Sequence, residues 1–181
     1  SGGLSYQTVI SSAKQLLIDS PRYLTNAFEQ ENSIAVEFEG PIDPAGISHY
    51  RGYLAGGQGF STGSIGGRFF DNDGGNFTWG AGAQVQVNAL GRYSRFDTQF
   101  LYTGVAPTLA FMVGGKYDRR AREEYVAING KAAFRWWIFA ASAETYYKRE
   151  FSFGSNQIAW NAQIGVLLVP KHLMLGADIG E

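Results

Sequence analysis

Residues 124–137, EYVAINGKAAFRWW, alternate apolar or small side chains with polar ones, and this alternation decides the fold class. Val126 and Ile128 fall on one side of the alternation. Asn129 and Lys131 fall on the other. A period of two residues is typical of a β-strand, in which successive side chains point to opposite faces. The stretch therefore predicts a strand with one apolar face and one polar face.

Two further stretches, 139–148 and 157–168, repeat the pattern with the same period. The three stretches have 10 to 14 residues each, whereas a strand of a soluble protein usually has about five or six. A tilted strand that crosses a bilayer needs roughly nine to eleven residues, with an apolar face toward lipid and a polar face inward. Length and pattern together favour membrane-spanning strands over a soluble sheet.

The composition of the 181 residues is typical of a single all-β domain. The 24 glycines and 15% aromatic residues suit a barrel, in which glycine allows close strand approach and aromatics form belts at the bilayer interfaces. Mean hydropathy is only −0.15, and no run of about eighteen apolar residues could form a transmembrane helix. Since lipid offers no partner to an open sheet edge, the strands predict a closed antiparallel transmembrane β-barrel. The residues expected in the belts are Trp79, Trp136, Trp137 and Trp160.

The charge and cysteine content exclude several kinds of partner. The formal net charge is −1, so the chain has no general basic field for nucleic acid. It contains no cysteine, which excludes a disulfide scaffold and a cysteine-based metal site. We therefore expect no nucleic-acid partner and no cofactor.

The N-terminal region differs from the rest of the chain. Residues 1–30 are expected to form an inward loop or short helix, and residues 31–181 to form the barrel strands as a single domain. Apolar residues within 4–18 recur at helical spacing, and the sequence from Asp19 to Pro21 provides a stop. A surface helix and a helix folded into a lumen are equal alternatives.

Features at both ends of the chain indicate how much of the protein it represents. An exported protein needs a signal peptide, and none precedes Ser1. The last residues before Glu181 lack the terminal aromatic that many outer-membrane barrels carry. We expect Ser1 to begin a mature, trimmed or partly observed chain, and we expect the chain to continue past Glu181.

About eight spanning strands are expected between residues 33 and 179, one of them interrupted at Pro107. In a bacterial barrel, short turns on one side alternate with longer loops on the other. The short connections are 40–46, 136–138 and 169–172, and the longer ones are 118–124 and 148–156. Counting 62–71 as a further span would mix the two groups, so we expect this segment to belong to one long outer loop.

Three stretches carry a family resemblance. Residues 15–40, QLLIDSPRYLTNAFEQENSIAVEFEG, resemble a segment in which an inward loop with a short helix leads into a strand. Residues 50–59, YRGYLAGGQG, resemble a strand that ends in a glycine-containing outer loop. Residues 158–181, IAWNAQIGVLLVPKHLMLGADIGE, resemble a hairpin of strand, Pro-Lys turn and strand. The family with these segments is that of the phosphate-selective porins of the O and P type.

This resemblance covers most of residues 15–181 and implies a passive porin of the bacterial outer membrane. Family members are 16-stranded trimeric porins, so the chain would span roughly the middle half of one, and a homotrimer would be expected. The family name implies phosphate. No matching basic ladder is evident in this sequence, so no phosphate site is carried over.

Charged residues on the predicted inward face would hydrate the wall of a water-filled pore. The candidates for lining it are Arg51, Lys116, Lys131, Arg135, Glu144 and Lys148. The same phase holds Glu37, Glu39, Asp118 and Asp178. Within the first group, the best candidate patch for attracting anions consists of Lys131, Arg135 and Lys148. The alternative is a set of cross-strand salt bridges that only solvate or fill the interior, with Glu144 neutralising the patch.

Catalysis and metal binding have little support in the sequence. Nucleophilic chemistry needs a base with an orienting acid, and the histidines His49 and His172 are each more simply explained as structural or solvated residues. They do not have metal-ligand spacing with each other. The run at 71–74, DNDG, lacks the spaced ligands and closing glutamate of a calcium loop and is more simply a turn. We therefore expect a protein that is not an enzyme.

Three functions fit this pattern to different degrees. The first is an outer-membrane channel through which small hydrophilic or anionic solutes diffuse passively. The second is an eight-stranded structural or partner-binding barrel with a filled interior. The third is a soluble lipid-binding barrel, which would direct residues such as Phe134 and Ile164 inward. Strand number separates the first two, and the direction of the apolar face separates the third.

If residues 4–18 form a helix that narrows a pore, deleting them should raise single-channel conductance in planar bilayers and leave the barrel folded. An unchanged conductance would place the helix outside the permeation path. A barrel that fails to fold would show that the segment is a structural strand.

Overall fold

A computed structural model of the chain describes residues 34–56, 61–65, 68–72, 79–94, 101–119 and 124–181. Residues 1–33 lie outside the described part. The expected loop or helix within 1–30 therefore stays a prediction. In the described part, the regular elements are all β-strands.

Ten strands form two antiparallel sheets in this part of the chain. They are β1 Ile34–Pro41, β2 Ser48–Gly56, β3 Ser61–Ile65, β4 Arg68–Asn72, β5 Trp79–Leu90, β6 Val105–Arg119, β7 Glu124–Trp137, β8 Phe139–Glu150, β9 Asn156–Val169 and β10 Leu173–Gly180. One sheet has eight strands in the order β1-β2-β5-β6-β7-β8-β9-β10. The predicted all-β class, with eight antiparallel strands in one sheet, is confirmed.

The large sheet is a meander, because each of its strands pairs with its neighbour along the chain once β3 and β4 are set aside. Within the described residues, β1 pairs only with β2, and β10 pairs only with β9. These two strands are thus the edges of the described sheet. The longest strands are β6, with 15 residues, and β7 and β9, with 14 each.

The segment expected to be part of a long outer loop has strand structure of its own. β3 and β4 pair with each other in a separate two-stranded sheet, with Ser61 opposite Asn72 and Ile65 opposite Arg68. The segment does not add a strand to the large sheet, as predicted from the alternation of turns and loops. It differs from the expectation in being a β-hairpin.

The connections of the large sheet fall on two sides, which we call the turn side and the loop side. The strand ends joined by 42–47, 91–104, 138 and 170–172 lie on the turn side, and those joined by 57–78, 120–123 and 151–155 lie on the loop side. The connections are grouped by side as predicted, but their lengths do not divide into short and long, because 42–47 has six residues whereas 120–123 has four and 151–155 has five. The connection 91–104, with 14 residues, is the longest on the turn side.

Tight turns on the turn side require unusual backbone geometry. Trp136 pairs with Phe139, so Trp137 and Ile138 form a two-residue hairpin loop, and Trp137 has a φ of 53°. Two-residue hairpin loops favour positive φ because their twist then matches that of the strands. Lys171, in the turn between β9 and β10, has a φ of 66°. The strand, Pro-Lys turn, strand hairpin implied by the resemblance is present at this position.

The two faces of the sheet differ sharply in composition and exposure. The face that we call the apolar face carries the exposed side chains, for example Ile158 at 76%, Val113 at 63% and Ile164 at 54%. The opposite face, which we call the polar face, is buried, and Lys148, Asp118 and Glu150 are at most 2% exposed. The arrangement is the reverse of a soluble protein, whose charged residues are almost never fully buried unless paired.

The packed interior of the molecule therefore lies on the polar face. Small apolar side chains there fill the gaps between polar ones, as Ala127 and Ala159 do beside Tyr125 and Tyr146. A second cluster contains Ala110, Met112 and Ala133. Interdigitated alanines allow strands with long charged side chains to share one face without leaving voids.

The expected interruption of β6 at Pro107 takes the form of a register shift. The pairing of β6 with β7 is irregular between Val105 and Thr108, and it is regular from Thr108 to Arg119. Proline has no backbone N–H to donate to a sheet ladder, so it is tolerated where pairing is interrupted. The shift lies next to the long connection 91–104.

No helix in the described ranges is long and apolar enough to cross a membrane.

The turn between β1 and β2 is held by one carboxylate. Asp43 Oδ1 accepts the backbone N–H of Ile47 at 3.0 Å, and Oδ2 accepts that of Ser48. The N–H of Ile42 closes the turn by donating to the Ser48 carbonyl at 2.8 Å. The hydrogen bonds from Ile47 and then Ser48 hold the pKa of Asp43 below its ordinary value of 3.8, because they favour the charged carboxylate.

We expect the turn to loosen in acid. A lowered folded-state pKa means that the stabilisation is present above the ordinary pKa and is lost as pH falls through the folded-state value. In NMR spectra of the protein in micelles, the amide signals of Ile47 and Ser48 should titrate with a midpoint below 3.8. Asp43→Asn keeps an acceptor and removes the titration, so it serves as the control. A midpoint at or above the ordinary value would disprove the carboxylate's role.

Candidate functional site

The candidate site is the polar face of β6, β7 and β8, where the strand register fixes the height of each charged side chain. Lys131 lies directly opposite Glu144. Ala127 lies opposite both Lys116 and Lys148, which are therefore at one level on either side of β7. Arg135 is four residues beyond Lys131, and Ala127 is four residues before it, which corresponds to about 13 Å per step along the strand.

The three residues predicted to attract anions thus lie on one face, but not at one height. Lys148, Lys131 and Arg135 succeed each other from the loop side toward the turn side. They line the length of the sheet instead of forming a ring at one level. Cationic side chains therefore occur at intervals of about 13 Å along the face.

Tyr125 lies within cation–π distance of two lysines near the loop side. Lys148 Nζ is 4.1 Å from the centroid of the Tyr125 ring, and Lys116 Nζ is 4.9 Å from it. The Tyr125 hydroxyl donates to Asp118 Oδ2 at 3.0 Å, and Lys116 Nζ lies 3.9 Å from the same oxygen. The electron-rich face of the ring stabilises both ammonium groups, which are almost fully buried.

Glu150 closes this cluster on the loop side. Its carboxylate accepts backbone N–H groups from Ser152 at 2.8 Å, from Phe153, and from Glu124 at 3.3 Å. These bonds satisfy the loop 151–155 at its first residues and fix the end of β8 beside β7. The Glu150 carboxylate thus faces backbone N–H groups at the loop side.

A second group of contacts surrounds the middle of the face. Lys131 Nζ lies 3.8 Å from Glu144 Oε2, and both side chains are about 95% buried or more. The amide of Asn129 donates to the other carboxylate oxygen, Oε1, at 3.4 Å. This cross-strand ion pair matches the alternative in which Glu144 neutralises part of the cationic patch.

Arg135 contacts the long turn-side connection. Its guanidinium carbon lies 4.9 Å from the centroid of the Tyr93 ring. Tyr93 is buried and packs with Ala110, Met112 and Ala133 of β6 and β7. Its carbonyl accepts the Gln86 amide at 2.7 Å. The start of the connection is thus fixed on the polar face.

The end of the same connection lies on strands farther across the sheet. Leu101 packs against Ala140 of β8 and Leu167 of β9. Its N–H donates to Met174 Sδ at 3.2 Å, and the carbonyl of Tyr102 accepts the Lys171 N–H at 2.8 Å. The two described ends of this connection, 91–94 and 101–104, are thus fixed over different strands at the turn-side end of the polar face. We call these two described ends the crossing segment.

The edge of the polar face toward β1 is more open. A cleft of about 830 Å³ lies there, and its lining includes Glu39, Arg51, Gln84, Gln86, Asn88 and Arg92. Arg51 forms an ion pair with Glu37 through Nε. Three of the six lining residues named above are charged and three are amides, and the lining also includes apolar residues such as Pro41 and Pro44.

Tyr53 is a member of the polar face that sequence patterns did not single out. It lies opposite Gly82 of β5 and is 2% exposed. A Cβ at position 82 would lie 2.5 Å from Tyr53 Cε1, so glycine is required for the ring to cover this strand. In the sequence, Tyr53 is only a tyrosine on the polar side of the alternation, near a glycine-rich strand. This position does not reveal that its ring packs over Gly82.

The remaining sequence candidates are placed apart from this face's centre. Asp178 is exposed on the edge strand β10, and Glu39 is exposed on β1. His49 Nε2 is 2.9 Å from the Gly46 carbonyl, and His172 lies in the exposed turn after β9. Among the residues that the structure describes, no three His, Cys, Asp or Glu side chains are grouped to hold a metal ion.

Comparisons with protein-family models, with curated proteins and with solved structures find no match to this chain. The resemblance to phosphate-selective porins therefore stays a prediction.

We expect the ring of Tyr125 to contribute more to the free energy of unfolding than its hydroxyl does. Tyr125→Phe removes the hydrogen bond to Asp118, whereas Tyr125→Leu removes the ring from both lysines as well. We expect Tyr125→Leu to lower the free energy of unfolding by about 1–4 kcal/mol more than Tyr125→Phe, since each cation–π contact contributes about 0.5–2 kcal/mol. Urea unfolding in lipid vesicles measures the difference. Equal losses in the two variants would show that the ring does not stabilise the lysines.

Proposed function

We propose that this chain forms the wall of a membrane-spanning passage through which small hydrophilic solutes, anions among them, diffuse passively. The observation that carries the proposal is the inverted arrangement of the sheet. Its apolar face is exposed and its charged face is buried. A bilayer accepts such a face, because hydrocarbon takes the place of a protein core.

The distribution of charge on the apolar face supports contact with lipid. In the described strands β5 to β9, the middle of this face carries side chains such as Val113, Ile128 and Ile164, without a charged residue. An arginine or lysine at the midplane of the lipid face costs roughly 2–4 kcal/mol. The aromatic residues Trp79 and Trp136 lie at opposite ends of their strands, as expected for two interface belts.

Closure is a requirement of the proposal. Each unsatisfied backbone group in hydrocarbon costs several kcal/mol, so the edges β1 and β10 need partners in a membrane. The two edges run antiparallel to each other, because the meander has eight strands. They are able to pair with each other, or with further strands of a larger barrel. The resemblance favours the larger barrel, with three copies in the bacterial outer membrane.

The filled-barrel alternative has one specific observation in its favour. The crossing segment and the clusters around Tyr125 and Lys131 occupy much of the polar face. In a closed eight-stranded barrel such contacts would fill the interior, and the protein would serve as a structural or partner-binding barrel. In a larger barrel they would line one wall and leave space opposite. The soluble lipid-binding alternative needs an apolar interior, and the observed faces do not support it.

A weak preference for anions follows from the charges of β6, β7 and β8. The polar face of these strands holds the cations Lys116, Lys131, Arg135 and Lys148 and the anions Asp118, Glu144 and Glu150. One cation is in excess. In a narrow passage with low-dielectric walls, such an excess lowers the barrier for anions.

The proposal is tested by ion selectivity in planar bilayers. Changing Lys131, Arg135 and Lys148 together to glutamine should shift the reversal potential across a salt gradient toward cations, because it leaves the carboxylates in excess. Glu144→Gln, on the neighbouring strand, is the matched control and should shift the potential the other way. Opposite shifts identify this face as the wall of the permeation path.

Two results would count against it. If the protein conducts and neither variant changes the permeability ratio, these residues are salt-bridged wall residues away from the path. If the folded protein inserts and does not conduct, the filled barrel is the better interpretation.

A further inference from the structure

Charged residues on the apolar face occur at one end only. In the described strands β5 to β9, they are Arg119, Glu124 and Arg149, and all three lie next to the loop side. The turn-side end of the same face carries Phe139 and Leu168 instead. Two guanidinium groups thus lie at the boundary of an otherwise apolar surface, in the region where the headgroups of a membrane would begin.

Arg149 is held in place by its neighbours on this face. Its Nη1 donates to Asn156 Oδ1 at 2.9 Å, and the Tyr147 hydroxyl donates to the same oxygen at 3.0 Å. Asn156 is the first residue of β9 and lies directly opposite Arg149. A guanidinium has five N–H donors, so one bond to an amide orients the group and leaves donors for a further acceptor.

Arg119 lies at the end of β6, next to the aromatic pair of Trp79 and Tyr117. It is the exposed last residue of β6 and lies opposite Trp79. The Trp79 ring is 4.9 Å from the ring of Tyr117, whose hydroxyl donates to Glu124 Oε1 at 2.7 Å. Aromatic rings with polar tips are typical of the membrane interface. The carboxylate of Glu124, at this end of the apolar face, is thus hydrogen-bonded to Tyr117.

We propose that Arg119 and Arg149 bind the phosphate groups of an anionic lipid headgroup at the loop side of the membrane. The guanidinium fork matches the geometry of phosphate oxygens and binds them through paired hydrogen bonds. One strand, β7, separates the two arginines, and they lie opposite Glu124 and Val126 of that strand, which places their backbones about 12 Å apart. This spacing suits a phosphorylated glycolipid headgroup with more than one phosphate. The inference rests on the proposed membrane-spanning function.

The test compares the whole protein, folded in zwitterionic detergent micelles, with and without added lipid A, a glycolipid that carries two phosphates. Lipid A should raise the unfolding temperature of the wild type. The double variant Arg119→Gln, Arg149→Gln should need roughly thirtyfold more lipid A for the same shift, since each arginine near an anionic lipid surface contributes a factor of about five. Lys171→Gln removes a cation from the turn side and should respond as the wild type does.

Each alternative has its own outcome. Equal responses of the wild type and the double variant would overturn the inference, as would an equal loss in Lys171→Gln. An equal stabilisation by inorganic phosphate would identify a site for soluble anions instead of a lipid. A wild type that conducts in bilayers but does not respond to lipid A would refute the lipid site alone. A wild type that neither inserts nor conducts would refute the proposed function with it.

Discussion

The antiparallel register from β5 to β9 is the constraint on which the other features of this molecule depend. Because side chains alternate strictly along a strand, a shift of one residue would exchange the two faces. It would bury Ile128 and Ile164 and expose Lys131 and Glu144. The observed pairing places every buried cation of the three central strands beside a ring or a carboxylate. Register therefore links the sequence period to both the lipid-compatible surface and the polar interior.

The polar face is stabilised by contacts that differ from those of a soluble core. Burying a charge is costly unless it has a partner, and here Lys131 has the Glu144 carboxylate while Lys116 has the Asp118 carboxylate and the Tyr125 ring. Alanine at position 127 leaves space for that ring. In the proposed passage, the same paired charges would bind water, and an excess of one sign would bias ion flow. Structure and proposed function thus use the same residues.

Sequence periodicity predicted the strands well, since each strand depends only on its own residues. The alternation in 124–137 and 157–168 is local, and the strands β7 and β9 match it. Sequence gave less information about the crossing segment, because Leu101 contacts Met174, 73 residues away, and no pattern links them. The contacts of Tyr125 could not be predicted from the sequence either, because Lys116 and Lys148 come from the strands on either side of β7. The hairpin of β3 and β4 was missed because its strands are only five residues long.

The most direct measurement of the central claim is the accessibility of spin labels placed singly along residues 158–168 in lipid vesicles. Oxygen, which partitions into lipid, and a water-soluble nickel chelate report the two environments. The account predicts oxygen accessibility at the even positions, such as 158 and 164, and low oxygen accessibility at the odd positions, such as 161 and 163. Nickel access at the even positions, or oxygen access at the odd ones, would contradict the assignment of the apolar face to lipid.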